Sequence, residues 1–143
     1  MRPNTLARVV EQIQLGASQD VTLAEFADIF DLAPTGDARY VMIAEEPVPT
    51  HDKRLDALVG AIAEYLAKQH KLGRVPSWSS GPMRCLDMPW HTSSIFIDWK
   101  REFMMDGMRE YLTFASPAEF ASRNIFTEER PLRRARGPQP AKT

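Results

Sequence analysis

The stretch from Leu55 to Leu72, LDALVGAIAEYLAKQHKL, limits the fold more than any other part of the chain. Leu55, Leu58, Val59, Ile62, Tyr65 and Leu66 recur at helical spacing, and Asp56, Glu64, Lys68 and Gln69 fall between them. Apolar residues at i, i+3, i+4 and i+7 make one continuous stripe, which a helix must bury against other elements. A helix of this kind, starting near Asp52, predicts the central post of a small all-helical domain. Gly73 stands just past its last apolar residue, a position suited to a left-handed C-terminal cap.

The flanking segments supply the helices that would cover it. Asn4 is placed to cap a helix over residues 5–15, with Leu6, Val9, Val10 and Ile13 on its apolar face and Gly16 as its stop. Thr22 stands three residues before Glu25, the spacing of a capping box, ahead of a helix that buries Leu23, Phe26, Ala27 and Phe30. Asp28 and Asp31 point away from that face. Residues 38–46 are too short to separate helix from strand by period, but their alanines and glutamates favour helix.

Residues 74–94, RVPSWSSGPMRCLDMPWHTSS, form a long connection carrying Trp78 and Trp90. A connection this long inside a domain is uncommon and is often functional. Ser94 can cap a helix over residues 95–113 whose apolar side includes Met108, Tyr111 and Leu112. Gly107 would permit a close helix–helix approach there. Ser116-Pro117 with Glu119 is a strong helix-start signal for a further short helix. The expected fold is therefore all-α: a single irregular bundle of five or six helices over residues 1–130, with a Trp- and Pro-containing loop packed across it. From residue 131 the composition turns basic and proline-rich, so residues 131–143 read as a flexible tail.

Composition narrows the chemistry. The net charge is only −1, but residues 1–50 hold eight acidic and three basic groups, net −5, and the rest is net +4. Cys85 is the sole cysteine, so an internal disulfide is impossible and a cysteine-based zinc site is not expected. A buried, inert thiol is the plainer reading of Cys85 than one activated by Arg84. No apolar run approaches membrane-spanning length and no signal-peptide core is present, which points to the cytoplasm. His51, His70 and His91 contain no pair at metal-binding helical spacing. Asp87, His91, Ser93 and Ser94 can be sketched as a catalytic set, yet the chain has no G-x-S-x-G elbow and no phosphate-binding glycine loop. No catalytic residue, cofactor or metal is expected.

Two surfaces remain as candidates for binding. The first two helices outline a helix-turn-helix, but Glu25, Asp28 and Asp31 would repel phosphates. That acidity suits a basic protein partner instead. Exposed tryptophans often anchor such contacts, which adds Trp78 and Trp90 to the candidate partner-binding residues. The alternative is a nucleic-acid-associated transcriptional regulator that uses Arg130, Arg133, Arg134 and Arg136 of the tail on phosphates. A homo-oligomer is compatible with either.

Residues 55–135 also resemble a family of small bacterial domains. The likeness rests on L-D-A-L-V-G-A-I-A-E-Y-L-A, V-P-S-W, L-D-M-P-W and S-P-A-E-F-A-S-R-N-I-F, the last ahead of a charged end. Such domains stand alone or follow helix-turn-helix domains in regulators, and some are encoded beside nucleotidyltransferase-like toxin–antitoxin genes. The resemblance implies an antitoxin-like or regulatory protein that binds and occludes another protein, such as a basic toxin. It implies no catalytic residue.

Overall fold

The computed structural model describes residues 4–92, 106–128 and 131–132. Among these the architecture is all-α: α1 (Leu6–Gln14), α2 (Gln19–Leu32), α3 (Gly36–Ala44), α4 (Lys53–Gln69), α5 (Asp106–Ala115) and α6 (Ala118–Ala121). Two 3₁₀ turns, Ser77–Ser80 and Pro82–Arg84, follow α4. A short parallel ladder joins β1 (Trp90–His91) to β2 (Ile125–Phe126), pairing Trp90 with Ile125 and His91 with Phe126. The expected N-terminal part of the helix from residue 95 lies outside the described residues.

Helix α4 is the post, but it is more deeply enclosed than a single stripe requires. Every residue from Leu55 to Ala63 is buried, including Asp56, which its spacing had placed on the wet side. A helix surrounded on all sides needs small residues where neighbours come closest. Gly60 is such a point: a Cβ there would lie 3.0 Å from both the Arg84 Cβ and the Ser79 carbonyl oxygen. Gly107, the glycine expected to allow close approach, is exposed, and a Cβ there meets no described atom within 4 Å. Burial of each large aliphatic side chain contributes about 1.5–3 kcal/mol, so Leu55, Leu58, Val59 and Ile62 anchor the core.

Local signals fix the helix ends, with several corrections. Thr5, not Asn4, caps α1, its hydroxyl accepting from the Arg8 amide at 3.1 Å. The Thr22–Glu25 capping box is absent because α2 already begins at Gln19, with Ser18 at the cap position. Thr22 is buried inside the helix and donates to the Ser18 carbonyl at 2.6 Å. Residues 36–44 are helical, with Thr35 as cap. Asp52 caps α4 by accepting from the amides of Arg54 and Leu55. At the other end Lys71 takes the left-handed position directly after the cap residue, with φ of 55°, and Gly73 is left-handed two residues further on, with φ of 86°. The Leu72 amide then bonds to Ala67 O and the Lys71 amide to Lys68 O, satisfying carbonyls the helix leaves open.

Ser116 does not cap α6. Its hydroxyl donates towards the carbonyls of Leu112 and Thr127 and accepts from the Thr127 amide, tying the end of α5 to the residue after β2. The 86–92 segment is sewn to the 123–127 segment in the same manner. The amides of Leu86, Trp90 and Thr92 donate to the carbonyls of Arg123, Asn124 and Phe126. Pro131 is buried and Leu132 packs against the core, so packing continues past the expected boundary at residue 130. No helix among the described residues is long and apolar enough to cross a membrane.

Candidate functional site

The long connection after α4 is held by cations rather than left as a display loop. Arg84 is 1% exposed. Its guanidinium donates to the Asp56 carbonyl (3.1 Å), the Pro47 carbonyl (3.0 Å) and the Glu46 carboxylate (3.1 Å). It also lies over the Trp78 ring, 4.9 Å from the centroid. The Asp56 carboxylate in turn accepts from the amide and hydroxyl of Thr50, closing the 45–52 loop onto the start of α4. Arg123, also buried, donates to Glu64 (2.7 Å), the Glu119 carbonyl and the Ser79 carbonyl.

Each tryptophan lies under a guanidinium, Trp78 under that of Arg84 and Trp90 under that of Arg54. The Trp78 indole N–H donates to the Ile43 carbonyl at 3.1 Å, and the side chain is half-buried. Trp90 is 5% exposed, with the Arg54 guanidinium over its ring. Both fasten the connection to the helices; burial closes Trp90 to a partner, against expectation, whereas Trp78 keeps part of its surface open. Among the described residues the large exposed aromatics are on α5 instead, Phe114 at 86% and Tyr111 at 53%.

An open cleft of about 310 Å³ lies between α4, the 3₁₀ turns and the end of α6. Its wall includes Glu64, Ser79, Cys85, Ser122 and Arg123. Burial pushes the Glu64 carboxyl up, but the hydrogen bonds and charges of Lys68 and Arg123 outweigh it, and its pKa is lowered. Cys85 is exposed, against the expectation of a buried thiol. The Arg84 guanidinium is turned into the core. No histidine lines this cleft.

Two of the histidines, His70 and His91, pack against aromatic rings. His91 lies against Phe126 with ring centroids 5.2 Å apart, and its Nε2 is 3.1 Å from the Thr113 hydroxyl. That hydroxyl donates to the Arg109 carbonyl, so Nε2 must carry the proton and donate to Thr113. His70 caps α4 and meets Phe30 edge-on at 5.0 Å. His51 is exposed on the loop before α4. Ser93 and Ser94 lie outside the described residues, so of the sketched set only His91 and the exposed Asp87 are placed. Among the described residues no group of three His, Cys, Asp or Glu side chains is arranged to hold a metal.

The acidic surface of α2 has a different character. Thr22, Leu23, Phe26 and Phe30 face the core. Val21, Glu25, Asp28 and Leu32 recur at spacings of four, three and four, which puts them along one outer face. Val21 is 53% and Leu32 81% exposed, while Glu25 and Asp28 are half-buried. Asp31 is exposed beside this face, its carboxylate 3.9 Å from His70. Arg39 closes the C-terminal end of α2 by donating to the carbonyls of Phe30 and Asp31, an arrangement that spacing alone did not reveal. Arg130, Arg133, Arg134 and Arg136 of the alternative reading lie outside the described residues.

No family model, curated protein or solved structure is found to match this chain. The likeness of residues 55–135 to small bacterial regulatory domains therefore has no relative behind it and stays an expectation.

Proposed function

We propose that this all-α domain is a non-enzymatic interaction module whose α2 outer face docks on a basic surface of another protein. The carrying observation is the face itself: carboxylates of Glu25 and Asp28 set between two exposed aliphatic side chains, Val21 and Leu32, with Asp31 exposed beside them. Apolar ends can supply desolvated contact, and the acids between them supply register and steering towards a cationic partner. Covering a basic functional surface would inhibit it by occlusion, the mode of action expected of an antitoxin-like or regulatory partner.

The test is comparative affinity capture from the native host. Wild type is set against a full-length variant carrying Glu25→Gln, Asp28→Asn and Asp31→Asn. The expected result is a basic protein enriched by wild type, released by raised salt and lost with the variant. Equal enrichment by both chains would remove α2 from the interface.

A further inference from the structure

We propose that the outer face of α5 is a self-association surface, on which a second copy of this chain docks through its own α5 in antiparallel orientation. The inference stands apart from the docking reading of α2 and uses none of its residues. Leu112 is buried and the Thr113 hydroxyl meets His91, so that side of α5 is turned to the domain. Gly107, Tyr111 and Phe114 recur at spacings of four and three and lie together on the opposite side, with Met108 beside them. All four are exposed. Glycine is the least favoured residue in a helix after proline, and no described atom of its own chain comes within 4 Å of a Cβ at Gly107. Nothing within the described fold requires a glycine there, but a closely packed neighbouring helix does.

The face is complementary to itself. In a two-fold antiparallel pair centred near Tyr111, position 107 of one copy meets position 114 of the other, and symmetry makes the contact twice. Phe114 is a bulge and Gly107 a notch, so each ring fills the space left by its counterpart's missing side chain. The two Tyr111 rings meet beside the axis. Parallel pairing would set ring against ring and leave both notches empty, and it would align the helix dipoles that an antiparallel pair opposes. The four face residues carry no charge, which suits a second copy better than an acidic or basic partner. Glu110 flanks the face, and the two-fold brings it to the same edge as its counterpart, so salt should favour the pair. The rings leave roughly 200–350 Å² per copy to be covered, taking about 150–250 Å² for a whole aromatic side chain at their exposures of 86% and 53%. Two copies together stay below the about 1,200 Å² of a standard interface, so the pair is a weak one that forms and separates with concentration.

The experiment is sedimentation equilibrium of the full-length chain over roughly a hundredfold range of concentration. A reductant keeps the exposed Cys85 from cross-linking two copies. The mean mass should climb from that of one chain towards that of two, and raised salt should leave the climb intact or steepen it. Phe114→Ala and Gly107→Gln should each weaken association about tenfold or more. The melting temperature of the dilute protein should be unchanged by the first and unchanged or raised by the second. A single-chain mass at every concentration overturns the proposal. So does association of wild-type strength in either variant, or association abolished by salt. A marked fall in the melting temperature of dilute Phe114→Ala overturns it as well, since that ring would then be covered by its own chain.

Discussion

The helical trio α1–α3 and the region around α4 use charge in opposite ways. Around α4, Arg84 and Arg123 are buried and their guanidinium groups are turned onto carbonyls and carboxylates of distant segments. Charge there holds the chain together. In the trio, Arg39 serves a helix end, while the acids of α2 line a face flanked by exposed Val21 and Leu32. The sign of a region's net charge is thus a poor guide to its role. Whether the charged groups are enclosed by their own chain decides whether they build the fold or present a surface.

The sharpest way to break this contrast is Arg84→Ala. Removing one member of a buried polar set leaves its partners unsatisfied and costs about 3–5 kcal/mol. Urea unfolding should register a loss of that size, and a loss no larger than that of an exposed side chain would refute the clasp. Gly60→Ala tests the same contact from the helix side. A Cβ 3.0 Å from the Ser79 carbonyl must push the 3₁₀ turn outward, at a cost of about 1–3 kcal/mol.

Acid should loosen both regions in sequence. Burial lowers the pKa of His70 and of His91, aided by Arg39 at the first and Arg109 at the second, with Asp31 opposing at His70. A histidine with a lowered folded pKa stabilises the fold above the usual value of 6.5, and that stability is lost as pH falls through the folded value. Glu64, lowered from 4.5, adds a second loss in more acid solution. Thermal melts from pH 8 to about pH 2 should show two declines, the second below 4.5, and His91→Gln should flatten part of the first. The smallest effect on stability is expected from neutralising Glu25, Asp28 and Asp31, about 0.5 kcal/mol or less at each surface position. A large loss of stability in that variant would mean these acids hold the trio together rather than face a partner.

The sequence made one kind of information legible. The all-α class, the α4 post with its start near Asp52 and the acid face of α2 all follow from residues within one or two helical turns of each other. The misreadings have longer-range causes. Thr22 lost its capping role because the helix had already started at Gln19, and Ser116 because its hydroxyl is taken by Leu112 and Thr127. The two-residue ladder joins segments more than thirty positions apart and has no periodicity to announce it. Trp78 and Trp90 looked available because the groups that engage them, the Ile43 carbonyl and the guanidinium groups of Arg84 and Arg54, come from other elements. Gly60 could have been suspected: a glycine in the middle of the most apolar helix carries a propensity cost that close packing offsets.

Hydrogen exchange of the chain, alone and bound to the basic protein captured by wild type, addresses the docking face most directly. Added protection should concentrate in Gln19–Leu32 and spare α5. Protection confined to α5, or to the segment from Ser77 to Trp90, would place the interface elsewhere and contradict the assignment of α2.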